Sequence, residues 1–512
     1  MNKKFYLTTA IPYVNAPPHL GFALEVVQAD VVARYHQLLG KDVYFLAGTD
    51  ENALKNVQAA EKEGITTKQL VDRNSQKFYD LKKALNLTYD DFIRTTERRH
   101  LEGSQALWQA CKKEDVYKKK YKGLYCVGCE AFYTKKDLID GKCPEHKKKP
   151  EVVEEENYFF RLSKYQDWLE DLVSTDKLKI VPQTRKNEVL SFIRRGLEDF
   201  SISRTIERAH GWGIPVPNDP SQIIYVWFDA LANYITALGW HKKDKLFQKY
   251  WPADLHVIGK GITRFHAIYW PAMLKSAGIP LPKEEFVHGY ITIEGEKISK
   301  SLGNVIDPFE LVNQHGTDAI RYYLLREIPA YGDGDFSTSR FKELYNADLA
   351  NGLGNLVARV LTLVEKNCGA KVPQVNQDPD SHPLRIDQNI HNWKKTWQDI
   401  DNFLPQYKFN EALESIWKFI KEADKYIDQN KPWELVKKDK KKFNWVLYGL
   451  LDSIHQLAWQ IYPFMSNTAQ QIAKRLKIEK LLIKNPLNKN SWTNIKPGTK
   501  IKAGKSLFPR IK

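Results

Sequence analysis

Apolar positions along the chain follow two regimes. In the first two thirds, short apolar runs alternate with segments of helical period; in the last third only the helical period remains. Phe5-Tyr6-Leu7-Thr8-Thr9-Ala10 predicts a buried strand, followed by a loop from Pro12 to Pro18. Leu24, Val27, Val31 and Tyr35 then predict a helix that stops near Gly40, and Val43-Tyr44-Phe45-Leu46-Ala47-Gly48 predicts a second strand running into Thr49-Asp50. Strand, loop, helix and strand form the unit of a parallel α/β sheet. Ligands of such sheets sit at the carboxyl ends of the strands, which places the Ala10–His19 loop and the Asp50 turn on the ligand edge.

From about Val116 to Pro150 lysines, glycines and cysteines replace this pattern. Strand-like runs return at Ile223–Phe228, His256–Gly259 and Glu285–Gly289, so the expected architecture is one sheet split by an insertion. Beyond Asn346 helical spacing takes over, as in Leu349, Leu353, Leu356, Val360 and Leu363, and again in Leu447, Leu450, Leu451, Ile454 and Leu457. The expected divisions are 1–115 and 223–292 for the halves of the α/β domain, 116–222 for the insertion, 293–345 for a connecting region, 346–477 for a helical domain and 478–512 for a basic tail.

Composition narrows the picture. A chain of 512 residues with 42% hydrophobic residues builds several cores. It contains no apolar run long enough to span a bilayer, and Met1-Asn2-Lys3-Lys4-Phe5 is no signal peptide, so a cytoplasmic protein is expected. The net charge of +16 suits a protein that meets a polyanion, and equally a solubility strategy. Cys126-x-x-Cys129 is followed thirteen residues later by Cys143-x-x-His146. Four soft ligands in two short pairs suit a structural Zn²⁺ with a closed tetrahedral shell.

Two segments carry phosphate chemistry. Pro17-Pro18-His19-Leu20-Gly21-Phe22 lies between strand and helix, where free N–H groups and the helix dipole favour a phosphate. Gly21 allows close approach, and His19 can donate to a phosphate oxygen as charge grows on it. Lys297-Ile298-Ser299-Lys300-Ser301-Leu302-Gly303-Asn304 sets two lysines three apart in a small-residue loop, able to clamp a polyphosphate. In this order, on the two halves of one split sheet, the pair resembles the two signatures of class I aminoacyl-tRNA synthetases. Ile298 replaces a methionine of the second signature, and Phe22 replaces the last histidine of the first.

Within that class the chain resembles the methionyl-tRNA synthetases along nearly its whole length. The resemblance implies a Rossmann-type parallel sheet split by an inserted zinc-knuckle domain, followed by an all-helical anticodon-binding bundle. Region 293–345 then holds the phosphate loop and the contact to the tRNA stem. By the same resemblance Ala10, Ile11 and Tyr13 face methionine, Asp50 holds its ammonium group, and Trp227, Ala230, Tyr234 and His288 complete the side-chain pocket. Aromatic rings suit a polarisable thioether. His19, Gly21, Lys260, Lys297, Ser299 and Lys300 are the implied ATP contacts, with His19, Lys297 and Lys300 catalytic and Mg²⁺ carried on the nucleotide. Lys260 opens a segment in which Gly261 stands where the family has an aspartate.

In the helical domain Asn351, Asn355 and Arg359 recur every four residues, on one face of a helix, and Trp433 supplies a ring for stacking on an unpaired base. The resemblance makes these the anticodon readers. The implied partners are ATP, L-methionine and tRNA(Met), with no membrane, in a monomer. A cysteinyl-type enzyme would need zinc at the active site, whereas the four ligands here all fall in the insertion. A nucleotidylyltransferase would not need the long helical domain.

Overall fold

The computed structural model describes residues 3–126, 128, 131–133, 138–144, 147–298, 303–375, 393–478 and 495–511. Ser299, Lys300, Cys129 and His146 fall outside them.

Six parallel strands form the central sheet: β1 (Lys4–Thr9), β2 (Asp42–Thr49), β3 (Asp91–Arg94), β4 (Lys179–Val181), β5 (Leu255–Gly259) and β6 (Glu284–His288), in the order β3-β2-β1-β5-β6-β4. The strand order reverses between β1 and β5, where Thr8 pairs with His256 and Thr9 with Val257. A crevice therefore opens beyond the carboxyl ends of these two strands. The strands read as near-continuous apolar runs because both faces are covered. The segment expected as an insertion, 116–222, is not separate throughout, since β4 within it adds the outermost strand of this sheet.

Helix α1 (Leu20–Leu38) follows β1 and is buried along almost its whole length, charged residues included. The reason is packing on two sides, against β1 and β2 and against the helix Thr317–Arg326. Asp30 on α1 meets Arg34 at 2.7 Å and Arg321 at 2.8 Å, all fully enclosed. Burial alone would raise the Asp30 carboxyl, but the two guanidinium groups hold it below its ordinary range. Arg321 also donates to the carbonyls of Phe464, Pro463 and Leu85, which ties the α/β domain to the helical one. Removing one partner of such a network costs about 3–5 kcal/mol.

The insertion is an antiparallel sheet built on the long pairing of Val116–Cys126 with Glu151–Phe160. Cys126, at the end of the first of these strands, and Cys143 are both buried. The helical domain contains Asn355–Asn367, Trp393–Phe403, Phe409–Asn430, Lys440–Ile461 and Ser466–Leu476 around one apolar core. The closing segment returns to the domain junction, where Asn346 bonds both backbone groups of Ile511. Among the described residues no helix is long and apolar enough to cross a membrane.

Candidate active site

The crevice at the strand reversal is a cavity of about 990 Å³. His19, Gly21, Glu25, Tyr13, Trp227 and Lys297 border it, together with a rim formed by Gly259, Gly261, Tyr290 and Asp333.

One wall is made by the start of α1. His19 is its N-cap, and the backbone N–H of Gly21 donates to His19 Nδ1 at 3.0 Å. A Cβ on residue 21 would stand 2.9 Å from the imidazole, so only glycine leaves the ring in this position. Phe22, where the resemblance expects a histidine, turns its ring against Phe78 at 5.0 Å, edge to face. It packs apolar surface and leaves the polar work at this helix end to His19. Across the cavity Lys297 ends the short strand Glu296–Lys297 with its side chain exposed. Asn304 donates to the Lys297 carbonyl at 3.1 Å, which steadies the start of the lysine loop.

The opposite wall is aromatic. Trp227, on the helix Val226–Leu231, stacks on Phe265 with centroids 3.8 Å apart and planes 5° from parallel. Tyr13 meets Trp227 edge-on at 6.4 Å. Ala230 is buried in the same helix, and Ala10 is nearly so at the end of β1. Gly48 lets β3 lie close, because a Cβ there would stand 2.3 Å from the Ile93 carbonyl, and Ile11 lies 3.0 Å from the same point. Deeper in, Tyr234 is fully buried, and its hydroxyl lies 2.7 Å from His266 Nε2. His266 Nδ1 is 3.1 Å from the Ile262 carbonyl, which can only accept. Nδ1 therefore carries the proton, and the Tyr234 hydroxyl donates to Nε2. Burial lowers the His266 pKa to about 4, so the ring is neutral and the assignment is consistent.

His288, expected in the side-chain pocket, has different partners. Its Nδ1 lies 2.7 Å from the Gly289 carbonyl and its Nε2 2.9 Å from Glu25, at the cavity edge. The histidine that holds Tyr234 is His266. Its position within the run Phe265-His266-Ala267-Ile268 gives no sign of this in the sequence, because a buried histidine in an apolar run is ordinarily structural.

Asp50 is buried at the end of β2, with its N–H bonded to the Pro12 carbonyl at 2.8 Å. This fastens the loop after β1 to the turn after β2. Asn52, two residues on, donates to Asp229 at 2.7 Å, and Asp229 in turn meets His100 at 2.5 Å. The Asn52 N–H also donates to Asp50 Oδ1 at 3.2 Å, and Asp229 belongs to the Trp227 helix, so one chain of bonds fixes Asp50 relative to the aromatic wall. Glu51 is held by Arg94 at 2.6 Å and 3.1 Å. Sequence reasoning did not single out Asn52, His100 or Asp229, whose partners are remote in the chain.

The expected anticodon readers lie far from this cavity in the sequence and are partly engaged. Asn351 accepts from Arg510 at 2.9 Å. Arg359 bonds Asp424 at 3.2 Å and Asp428 at 2.7 Å. Asn355 is exposed, and Trp433 is 46% exposed at the start of the helix Pro432–Lys438. The even spacing is interrupted, because Tyr345–Gly354 winds as a π-helix before the α-helix Asn355–Asn367 begins.

Residues 5–149 and 136–361 match the family described as tRNA synthetases class I (M), and residues 389–506 match the anticodon-binding domain of tRNA ligase. The fold and its cleft are thus those of a class I tRNA synthetase. The methionine–tRNA ligase of Brucella suis is 43% identical over 99% of this chain and 98% of its own length, and that of Caldanaerobacter subterraneus is 43% identical over 100% and 79%. Mycobacterium tuberculosis methionyl-tRNA synthetase in complex with methionyl-adenylate superposes with a TM-score of 0.92 at 40% identity, over 99% of this chain and 100% of that one. Its apo form gives 0.85 at 37% identity. The chain belongs to the methionyl-tRNA synthetase family.

Proposed function

We propose that the protein activates L-methionine with ATP and transfers the methionyl group to the 3′-terminal adenosine of tRNA(Met). One observation carries this reading. A single cavity joins the aromatic wall of Tyr13, Trp227 and Phe265 to the N-terminus of α1 and Lys297, and Asp50, buried at the end of β2, bridges through its backbone to the lining residue Tyr13.

The methionine side chain enters between Tyr13, Trp227 and Tyr234, and Asp50 receives its ammonium group. A carboxylate oxygen of methionine attacks the α-phosphorus, the bond to the β-phosphate breaks, and pyrophosphate leaves. Lys297 and Lys300 neutralise the charge that gathers on the phosphates, helped by the α1 dipole, and His19 donates its Nε2–H to a phosphate oxygen. Mg²⁺ arrives with the nucleotide and shares that charge. In the second step the terminal ribose hydroxyl of the tRNA attacks the methionyl carbonyl, and AMP leaves. Positioning accounts for most of the acceleration, since no covalent enzyme intermediate is needed.

Cys126 and Cys143 are both buried, and their thiols, with Cys129 and His146, would hold a structural Zn²⁺. Its chemistry is structural: it staples a segment too small to own a core. We expect one zinc per chain by metal analysis, and loss of secondary structure in the insertion on chelation. Asn351, Asn355, Arg359 and Trp433 read the anticodon. Arg359 exchanges its two aspartates for a base edge, and Trp433 stacks. Trp433→Ala should lower kcat/KM for tRNA charging by about 5- to 100-fold, far more than it lowers adenylate formation. Equal losses would place Trp433 in the fold rather than at the tRNA. The protein works as a monomer in the cytoplasm.

The decisive experiment is ATP–pyrophosphate exchange with methionine, cysteine, leucine, isoleucine and valine in turn. Exchange with methionine alone is expected. Tight tRNA binding without exchange would instead mark a non-catalytic tRNA-binding protein.

A further inference from the structure

The cavity has a third wall, and its construction turns on Gly261. This residue follows β5 in the short turn Lys260–Ile262. A Cβ on it would overlap the Tyr290 hydroxyl and stand 3.3 Å from Tyr290 Cζ. The phenol therefore occupies space that any side chain at 261 would fill. Tyr290 is braced from elsewhere as well. Its N–H donates to Asp333 Oδ1 at 2.8 Å, and Asp333 Oδ2 pairs with Lys260 at 2.6 Å. The Lys260 ammonium lies 4.6 Å from the centre of the Tyr290 ring. A Cβ on Gly289 would overlap the Gly332 carbonyl, so the loop carrying Asp333 is seated directly on the chain next to Tyr290.

The chemistry of this wall differs from that of the other two. The α1 N-terminus and Lys297 supply positive potential for phosphates, and His19 a ring N–H. Tyr13, Trp227 and Phe265 supply apolar surface for the thioether. On the third wall Lys260 is paired with Asp333 at 2.6 Å, which offsets its charge. What it offers is a phenol hydroxyl beside backbone exposed by two glycines, Gly259 and Gly261. That suits a neutral, hydroxyl-bearing group, and among the parts of the substrates the ribose of ATP is one. We propose that Tyr290 is the residue that seats this ribose, its hydroxyl standing where a residue-261 side chain would otherwise reach. The inference rests on the ATP-dependent activation proposed above.

The test is a set of exchange assays on the full chain, with ATP, 2′-deoxyATP and 3′-deoxyATP. Tyr290→Phe should raise KM for ATP about fivefold, the scale of one neutral hydrogen bond, and leave KM for methionine within about twofold. With at least one deoxy analogue the difference between wild type and Tyr290→Phe should vanish. Gly261→Ala should raise KM for ATP in the wild type by pushing the hydroxyl aside, and add little in the Tyr290→Phe background, where the nearest atom is the carbon 3.3 Å away. An unchanged KM for ATP in Tyr290→Phe would overturn the proposal. So would a penalty that persists with both analogues, a matching rise in KM for methionine, or additive effects of the two substitutions. Should the wild type show no exchange at all, the activation reading fails. Equilibrium binding of ATP and the two analogues to wild type and Tyr290→Phe then decides the Tyr290 contact by itself.

Discussion

The two ends of the cleft are built on opposite plans. At the methionine end the supporting polar groups are tied to one another inside the fold: Tyr234 to His266, Asp229 to His100 and Asn52, and the turn at Asp50 to the loop at Pro12. At the phosphate end the groups stand at the surface, with His19 as a helix cap and Lys297 on an exposed two-residue strand. The difference matches the tasks. Selecting a thioether needs a pocket whose shape is fixed before binding, because discrimination of apolar groups rests on fit. Stabilising phosphate charge needs donors placed where charge develops, and much of their effect appears only in the transition state.

The comparison is tested most severely at the phosphate end. Lys297→Ala and His19→Asn should each lower the rate of exchange by about 100- to 1000-fold while methionine affinity, read by equilibrium dialysis, stays within about twofold. Asparagine is the better probe at 19 because it keeps an acceptor for the Gly21 N–H and so preserves the cap. Loss of methionine binding in step with the rate would mean that the two ends are not separable. At the other end the effects should fall on binding. Tyr234→Phe leaves a buried imidazole nitrogen without its donor, a cost of about 1–3 kcal/mol, and should raise KM for methionine about tenfold. Phe265→Leu removes the ring under Trp227, worth about 0.5–1.5 kcal/mol, and should raise it a few-fold. A change in kcat with KM untouched in either variant would contradict the division of labour.

The same contrast explains what could be read from the sequence. The phosphate end was legible because its chemistry is local: a histidine and a glycine two apart at a strand–helix junction, and lysines in one loop. The split parallel sheet was legible too, since strands covered on both faces leave continuous apolar runs. The support of the methionine end was not. Tyr234 and His266 are separated by 32 residues, His100 and Asp229 by 129, and nothing in either flanking pattern marks the pair. His288, which the resemblance put in the pocket, lines the cavity with its bonds going to Glu25 and Gly289, while the bond to Tyr234 comes from His266. In the helical domain the four-residue repeat of Asn351, Asn355 and Arg359 was visible, but neither the π-helical stretch nor the ion pairs of Arg359 leave a local trace.

The smallest effect should come from acid. The His266 pKa lies at about 4, against an ordinary value of 6.5, because burial disfavours the imidazolium. In the unfolded chain the ring takes up its proton first as pH falls. The neutral ring therefore contributes stability that is fully present above about pH 6.5 and is lost as pH falls through 4. The full loss is on the order of 3 kcal/mol, and about 1 kcal/mol of it should be spent by pH 5.5. The check is the urea midpoint of the catalytic transition at pH 7 and 5.5, in wild type and in His266→Gln, whose amide cannot titrate. Wild type should lose more over that interval than the variant. Methionine KM in wild type should meanwhile stay flat down to about pH 5, since the acceptor of the Tyr234 hydroxyl remains unprotonated. Parallel midpoints in the two proteins would mean that His266 is solvated, and a methionine end open to water would no longer differ in kind from the phosphate end.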